Sequence, residues 1–408
     1  MDEILFLAHR VPWPPDRGDK IRSYHILEHL RQMAPVHVAA FAEDDRDMGF
    51  ADAMAARIAS SHVEKRTKPL WLSGAQALAT GLPVSRSSFA SQSMSQWVGE
   101  LLASRPISHI YCFSGQMAQY VPAHFAGRFV MDFVDVDSAK FESYAASGNP
   151  AMRWIYAREG RLLAAFEREI AARADYSLFV CEAEATLFQD RSGADNVRVL
   201  GNGIDTEHYN PAAPLRALYP NYPNSLIVFT GQMDYRPNVE AVTAFTQDAM
   251  PIIRAAYPDA TFAIVGRNPT SAVSRLSAYP GVHVTGRVDD VRTWLAAADV
   301  VVAPLRTARG IQNKVLEAMA MAKPVVASPV AAEGINAKSG VHFFIADGAK
   351  AEAERVCALL GDRSARQRVG VTARVHMESQ YAWSQQLRIL SEIMRDDSAC
   401  LLRAAVIR

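Results

Sequence analysis

The sequence is poor in the features that mark several functional classes. Its four cysteines lie far apart and form no CxxC pair, so neither a disulfide framework nor a structural zinc site is expected. Lys plus Arg and Asp plus Glu both number 43, and this balance argues against a dedicated nucleic-acid binder. No carboxylate cluster has metal-ligand spacing, so we expect neither a metal nor a cofactor.

Long apolar runs are also missing. The short N-terminal run behind Asp2 and Glu3 does not make a signal peptide, and no run approaches the roughly 18 residues of a membrane span. We therefore expect a soluble cytoplasmic protein, with peripheral contact at the inner face of a membrane left open.

What the sequence does have is a repeated strand–helix rhythm. The length of 408 residues, half of them hydrophobic, predicts two domains with full cores. Short apolar runs alternate with helix-like segments in both halves, which indicates an α/β fold with parallel sheets. Asn202-Gly203 breaks the pattern, and four prolines follow between residues 210 and 224. We therefore place an N-terminal domain at 1–205 and a linker at 206–224.

The most informative stretch is Val300–Ala332. Two apolar runs flank a helix-type segment that begins near Ile311, and Gly310 lies where the loop meets this helix. Lys314 lies in the first turn, where free backbone N–H groups and the helix dipole favour phosphate. Glu317 follows one turn later in an apolar setting. Such a phosphate site with a nearby carboxylate suits a nucleotide, with the ribose hydroxyls on the carboxylate.

Other strand ends of the second half add glycines and cations. Three strands end in Gly231, Gly266 and Gly286. The nearby cations form a predicted phosphate-binding rim and are Arg236, Arg267, Arg287, Arg309 and Lys314. The alternative is that each arginine is independently solvated, which is less plausible for all five together.

Candidate residues of the first half also lie at strand ends. Gly18, Lys20 and Arg22 follow the first strand and are candidate cleft residues, or else a solvated basic helix start. Asp135 and Asp137 follow the strand 129–134 and suit substrate hydroxyls, although Asp137 also suits a helix cap.

The segment 61–97 is the least predictable. Its basic residues precede Leu70-Trp71-Leu72, and it fits either an anionic membrane surface or, as we favour, an amphipathic element covering the sheet.

The sequence resembles glycosyltransferases of the GT-B type, family 4-like, and among them the sugar transferases of exosortase and exopolysaccharide systems. The matching segments keep their order over nearly the whole chain and are PPDRGDKIRSYH, MDFVDVDSAK, GNGIDTEHYNP, FTGQMDYRPNVEAV, IVGRNP and ARGIQNKVLEAMAMAKPVVAS. The resemblance implies two Rossmann-like domains facing across a cleft. It places the donor domain at 225–378 and a C-terminal helix within 379–408 that returns to the N-terminal domain.

The resemblance also implies roles for individual residues. It places Glu317 on the donor ribose, and it places Lys314 with the backbone of Gly310 and Ile311 near the diphosphate; Asn313 is a further donor-binding candidate. Gly18 would leave room in the cleft, with Lys20, Arg22 and Asp137 toward the acceptor. Donor candidates at the other strand ends are Gly231, Gln232, Arg267 and Arg287.

Two positions depart from the family pattern. Arg309 stands eight residues before Glu317, where the family often has a glutamate that contacts the donor sugar. Gln232 replaces a frequent basic residue, and Arg236 is our candidate for supplying that charge.

The function we expect is metal-independent transfer of a sugar, with retention, from a nucleotide diphosphate sugar to a hydroxyl acceptor in exopolysaccharide or other cell-surface glycan synthesis. The acceptor would be a glycan or a lipid-linked sugar, and Asp135 is the candidate for engaging its hydroxyl. Two alternatives remain: a nucleotide-sugar epimerase of the same fold, and a non-catalytic nucleotide-sugar binder.

Overall fold

The computed structural model of the protein describes residues 2–15, 17–147, 150–216, 218, 225–307 and 310–395. The chain divides into two compact units. The first comprises Met1–Gly201 and Leu387–Arg408, and the second comprises Asn202–Gln386.

The first unit is built on a seven-stranded sheet whose order is β3-β2-β1-β4-β5-β6-β7. Every neighbouring pair is parallel, and the inner strand β1 is buried at all six positions, as the continuous apolar run at residues 4–8 predicts. The strands are β1 (Glu3–Ala8), β2 (Val36–Ala42), β3 (Ser60–Lys65), β4 (Ile107–Phe113), β5 (Arg128–Val134), β6 (Tyr176–Phe179) and β7 (Val197–Val199).

The helices that cover this sheet come between its strands, as right-handed parallel connections require. They are α1 (Gly18–Arg31), α2 (Asp45–Gly49), α3 (Ala51–Ala55), α4 (Leu70–Thr80), α5 (Val84–Ser88), α6 (Gln92–Ser104), α7 (Asp137–Ser147), α8 (Pro150–Arg173) and α9 (Glu182–Ser192).

The second unit is built on a six-stranded parallel sheet with the order β10-β9-β8-β11-β12-β13. Its strands are β8 (Leu226–Thr230), β9 (Thr261–Val265), β10 (Val282–Gly286), β11 (Val300–Ala303), β12 (Val325–Ala327) and β13 (Phe344–Ile345). Its helices are α10 (Arg236–Ala244), α11 (Met250–Ala256), α12 (Ser271–Arg275), α13 (Val291–Ala297), α14 (Asn313–Ala320), α15 (Pro329–Ala332), α16 (Ala349–Gly361), α17 (Arg363–His376) and α18 (Trp383–Gln386).

Both sheets reverse their strand order once. The reversal falls between β1 and β4 in the first unit and between β8 and β11 in the second. Loops that leave the carboxyl ends of such a strand pair diverge and open a crevice, which is the usual ligand site of an open parallel sheet. In the second unit, the loops after β8 and β11 are therefore the candidate ligand-binding loops.

The last helix, α19 (Arg388–Arg395), belongs to the first unit. His109 Nε2 donates to the Met394 carbonyl at 3.0 Å, and the Arg128 guanidinium donates to the Ile393 carbonyl. The ring of His29 hydrogen-bonds Ser391 at 2.7 Å. The predicted fold class, two parallel α/β domains with a returning C-terminal helix, is confirmed.

The boundaries of the two units differ from the predicted domain limits at both places where the chain passes from one unit to the other. Residues 202–205 lie in the second unit, because the Ile204 N–H donates to the Tyr381 carbonyl at 2.7 Å and Gly203 packs against Trp383. Residues 379–386 lie there too, for the same reason. In the described part of the predicted linker, Tyr209 and Leu215 pack on the core of the second unit.

Two elements of the first unit differ from what the sequence predicts. The run of Ala, Met, Arg and Asp predicts one helix from about residue 46 to 60, but two short helices, α2 and α3, lie between residues 45 and 55, and Ser60 already belongs to a strand. That strand, β3, was missed because it is an edge strand with only one partner, and its residues SSHVEK are polar and only partly buried.

Candidate functional site

The candidate site of the second unit begins where β8 and β9 end. The Gly231 N–H donates to the Val265 carbonyl at 3.0 Å, and the Gly266 N–H donates to the Gly286 carbonyl at 3.3 Å. A Cβ built on Gly266 would lie 1.6 Å from the Gly231 oxygen, so only glycine allows the two loops to approach this closely. The glycines at the strand ends thus allow the backbones of these two loops to pack closely at the carboxyl edge of the sheet.

The second part of the site is the start of α14. The helix begins at Asn313, with Gln312 in an extended conformation as its N-cap and no side-chain cap bond. Lys314 is the second helical residue, as expected from its place in the first turn. Gly310 precedes the helix with a φ of 66°, a left-handed conformation that favours glycine. Ile311 packs toward Gly334, so its side chain anchors the loop.

The Lys314 ammonium connects these two parts. It donates to Asn238 Oδ1 and lies 4.2 Å from the centre of the Phe229 ring. Asn238, on α10, is oriented by its own amide, which donates to the Gln232 carbonyl at 2.8 Å. Burial lowers the pKa of Lys314 to about 7, although the nearby Glu317 carboxylate acts in the opposite direction.

Glu317 lies one turn along α14 beside Tyr209. Burial raises the pKa of the Glu317 carboxyl, against the opposing effects of the Tyr209 hydroxyl and Lys314. Burial and the adjacent Glu317 likewise raise the pKa of the Tyr209 phenol well above its usual value. Arg374 holds this arrangement by donating to the carbonyls of Tyr209 and Ala320.

This geometry suits recognition of a phosphorylated, hydroxylated ligand. An amine beside the unsatisfied first-turn amides of a helix binds phosphate oxygens, and a partly buried carboxylate one turn away accepts hydrogen bonds from hydroxyls. Lys314 and Glu317 are thus brought together as predicted. Asn238 contacts Lys314, and Tyr209 contacts Glu317. Neither residue was predicted as part of the site, although both lie within sequence segments on which the family resemblance rests.

Of the five cations in the predicted rim, four lie in the described part of the chain, and three of these four are exposed. The Arg236 side chain is 88% exposed and pairs with Glu240 on its own helix at 2.7 Å. Arg267, Arg287 and Gln232 are exposed at the ends of their strands. Arg309 lies outside the described residues. Of the five cations, Lys314 alone has described contacts to the glycine loop after β8.

In the first unit, Asp135 and Asp137 share one cation. Lys140 Nζ donates to Asp135 at 2.8 Å and to Asp137 at 3.1 Å. Asp137 begins α7. Val134, just before this pair, has a φ of 72°, which is strained for a β-branched residue and places the acidic loop at the carboxyl edge of β5. The two carboxylates remain accessible candidates for hydroxyl binding.

Lys20 and Arg22 are not cleft residues, which corrects their predicted role. Each side chain is no more than 2% exposed. Lys20 donates to Asp47 at 2.5 Å, and Arg22 donates to both oxygens of Asp132 at 3.0 and 3.2 Å. They are buried because each finds a carboxylate that neutralises it inside the unit. Gly18, in contrast, begins α1 with open space around its Cβ position.

The fold is that of GT-B glycosyltransferases. HepE of Anabaena, solved in complex with UDP, superposes with a TM-score of 0.65 at 16% identity, covering 96% of this chain and 98% of HepE. Sucrose-phosphate synthase of Thermosynechococcus elongatus gives a TM-score of 0.65 at 17% identity over 99% of this chain and 100% of that protein.

Part of the second unit also matches known families by sequence. Residues 224–362 match the family Glycosyl transferases group 1, which confirms the resemblance to family 4-like glycosyltransferases. A phosphatidyl-myo-inositol mannosyltransferase of Propionibacterium freudenreichii is 32% identical over 162 residues, 39% of each chain. An alpha-maltose-1-phosphate synthase of Mycolicibacterium smegmatis is 31% identical over 230 residues, which are 50% of this chain and 58% of the relative. The matches thus span about two fifths to three fifths of these relatives.

The described residues contain neither a membrane-spanning helix nor a metal-binding cluster. None of their helices is long and apolar enough to cross a membrane. Within residues 2–395, apart from the gaps given above, no group of three or more His, Cys, Asp or Glu side chains is arranged to hold a metal ion.

Proposed function

We propose that this protein is a glycosyltransferase that moves a sugar from a nucleotide diphosphate sugar to a hydroxyl acceptor. The observation that carries the proposal is the convergence of Lys314, Asn238 and Glu317 with the first turn of α14 at the strand-order reversal of the second sheet. The sequence match of this unit to glycosyl transferases group 1 and the UDP bound by the neighbour HepE support the same ligand class.

The proposed chemistry follows from the charges of the site. The bond between the sugar's anomeric carbon and the diphosphate oxygen breaks, and a bond to the acceptor oxygen forms on the same face, so configuration is retained. The acceptor proton passes to the departing phosphate. Lys314 and the α14 amides stabilise the leaving diphosphate, and Glu317 accepts from the ribose hydroxyls. We propose that no metal or organic cofactor takes part.

The acceptor assignment belongs to the first unit. We propose that Asp135 engages the acceptor hydroxyl, with Asp137 nearby and Gly18 leaving space for the incoming group. Both carboxylates pair with Lys140 and are still 34% and 40% exposed, so an acceptor hydroxyl can reach them. A glycan or lipid-linked sugar of exopolysaccharide or other cell-surface glycan synthesis, met in the cytoplasm at the inner face of the membrane, is the proposed acceptor.

The test compares donor turnover in Lys314→Ala and Glu317→Ala with that in Lys350→Ala, an exposed lysine on the same unit. The donor is first chosen by the rise in melting temperature that each UDP-, GDP- or other nucleotide sugar produces. We expect both site variants to lose most donor turnover while staying folded and the control to keep it. Normal turnover in both site variants would refute the site.

The same donor screen separates the alternative functions. An epimerase would interconvert the donor sugar with no acceptor present, whereas a non-catalytic binder would bind the donor and never consume it. Arg309→Glu, compared across several donor sugars, tests whether the arginine at this position changes which sugar is accepted.

A further inference from the structure

Helix α4 of the first unit exposes its large apolar side chains to solvent, whereas a helix that covers a sheet normally buries them. The buried residues of α4 are Ser73 and Ala77. Its large apolar side chains point outward: Leu70 is 74% exposed, Trp71 72% and Leu78 62%. The amphipathic element that we favoured from the sequence would have buried these residues against the sheet, so that expectation is wrong. Exposed apolar patches of this kind mark interaction sites.

Polar contacts hold this face outward. On α8, Arg158 donates to the Ala77 carbonyl at 2.7 Å and so fixes the C-terminal half of α4. The next residue, Glu159, accepts from the backbone N–H groups of Val84 and Ser85 at 2.8 and 2.9 Å and so fixes the start of α5. The α4–α5 hairpin is therefore attached through its polar side.

A second helix extends the apolar surface. Trp154 lies one turn before Arg158 on α8 and is 61% exposed, and Ile155 beside it is 41% exposed. Tryptophan is the side chain best suited to the boundary between lipid head groups and acyl chains, because its ring is apolar and its N–H is polar. The two helices thus offer two exposed tryptophans close to one hairpin.

The segment that contains the hairpin is basic, although Lys65 and Arg66 pair with Asp45 and Glu43 of the preceding helix and loop. Residues 65–99 contain four basic side chains, Lys65, Arg66, Lys68 and Arg86, and no Asp or Glu. Such a segment is attracted to a negatively charged surface. At 11 residues, α4 is about 16 Å long, roughly half the hydrocarbon core of a bilayer, so it fits the interface but not a span.

We infer that the face formed by Leu70, Trp71, Leu78 and Trp154 binds the surface of an anionic lipid bilayer. The apolar side chains enter the head-group region and the basic residues of 65–99 meet the anionic head groups. This goes beyond the proposed glycosyl transfer and does not depend on it. If an acceptor is lipid-linked, the contact would hold the enzyme at the membrane that carries it.

The test is co-sedimentation of the full chain with vesicles of phosphatidylcholine alone or mixed with phosphatidylglycerol. We expect binding to the mixed vesicles that weakens with added salt, and at least about a tenfold loss of binding in Trp71→Ser/Leu78→Ser. The matched control is Val371→Ser/Val375→Ser, which removes two exposed valines from α17 of the second unit and should leave binding unchanged.

Three results would overturn the inference. They are no binding to the mixed vesicles, binding that the α4 variant retains, and a self-association of the wild type that the α4 variant abolishes. The last would mean that a second copy covers the face. Because the substituted side chains are exposed, both variants should keep the wild-type melting temperature. Vesicle binding is measured without any donor, so this result is independent of the transferase assay.

Discussion

Lys314 should take up a proton when the donor binds above neutral pH. Its pKa in the unliganded protein is lowered to about 7 because burial removes its ammonium from water, an effect that the nearby Glu317 carboxylate offsets only in part. A bound diphosphate would stabilise the charged form and raise this pKa. Binding and protonation are therefore coupled, which a permanently charged surface lysine would not show.

The size of the effect follows from that pKa. With a free-protein pKa of about 7, about nine tenths of Lys314 is neutral at pH 8, so binding should take up about 0.9 proton. Between pH 7 and pH 9 the affinity for the donor should fall about fiftyfold. At the upper end of this range the slope should approach a tenfold loss of affinity, or about 1.4 kcal/mol, per pH unit. Below pH 6 the coupling should vanish, since the lysine is already charged.

Calorimetry at pH 8 in two buffers of different ionisation enthalpy measures this uptake. The ligand should be the best-binding nucleotide sugar, whose diphosphate has no proton to lose in this range. Lys314→Arg is the matched control, because arginine stays charged at every pH used and should bind without taking up a proton. A binding enthalpy that is the same in both buffers for the wild type, or an uptake that persists in Lys314→Arg, would refute the reasoning.

Three further predictions concern the remaining buried groups. Tyr209→Phe and Glu317→Gln should each weaken ribonucleotide binding about tenfold, and their effects should be non-additive in the double variant. Binding of a 2′,3′-dideoxyribonucleotide should not change in either variant. Additive losses in binding titrations would contradict a contact between Tyr209 and Glu317. Burial raises the pKa of the Glu167 carboxyl to about 7. The contribution of this group to the free energy of unfolding is therefore most favourable below about pH 4.5, and it is lost as the pH rises through 7. Glu167→Gln should therefore raise the free energy of unfolding at pH 8 by up to about 3 kcal/mol and flatten its pH dependence in urea titrations. Gly266→Ala should cost about 2–4 kcal/mol because its Cβ meets the Gly231 oxygen, whereas Gly18→Ala, with open space, should unfold at the wild-type temperature.

Much of the fold was predictable because buried parallel strands have a strong local signature. The apolar runs 226–230, 300–303 and 325–327 predict three strands. The limits of β8, β11 and β12 agree with these runs to the residue, since each is a continuous apolar segment buried in the middle of a sheet. The edge strand β3 lacks that signature, because only part of it is buried. For this reason the sequence did not predict β3.

The candidate site was predictable in part for a similar reason. Lys314 and Glu317 are one turn apart on one helix, so their proximity follows from helical spacing alone. Asn238 lies 76 residues from Lys314, and Tyr209 still further from Glu317, so no local pattern brings them together. Their contacts exist because β8 and β11 are neighbours and because Arg374 draws residues 206–209 onto α14.

The sequence by itself determined the two α/β units, most of their strands, and the pairing of a phosphate-binding cation with a carboxylate on one helix. It did so because periodicity and helix-end chemistry act over a few residues. Only the tertiary structure decided which charges are buried and which apolar side chains are exposed. Lys20 and Arg22 became interior ion pairs, and Leu70, Trp71 and Leu78 became a surface, because burial depends on partners that are distant in the chain.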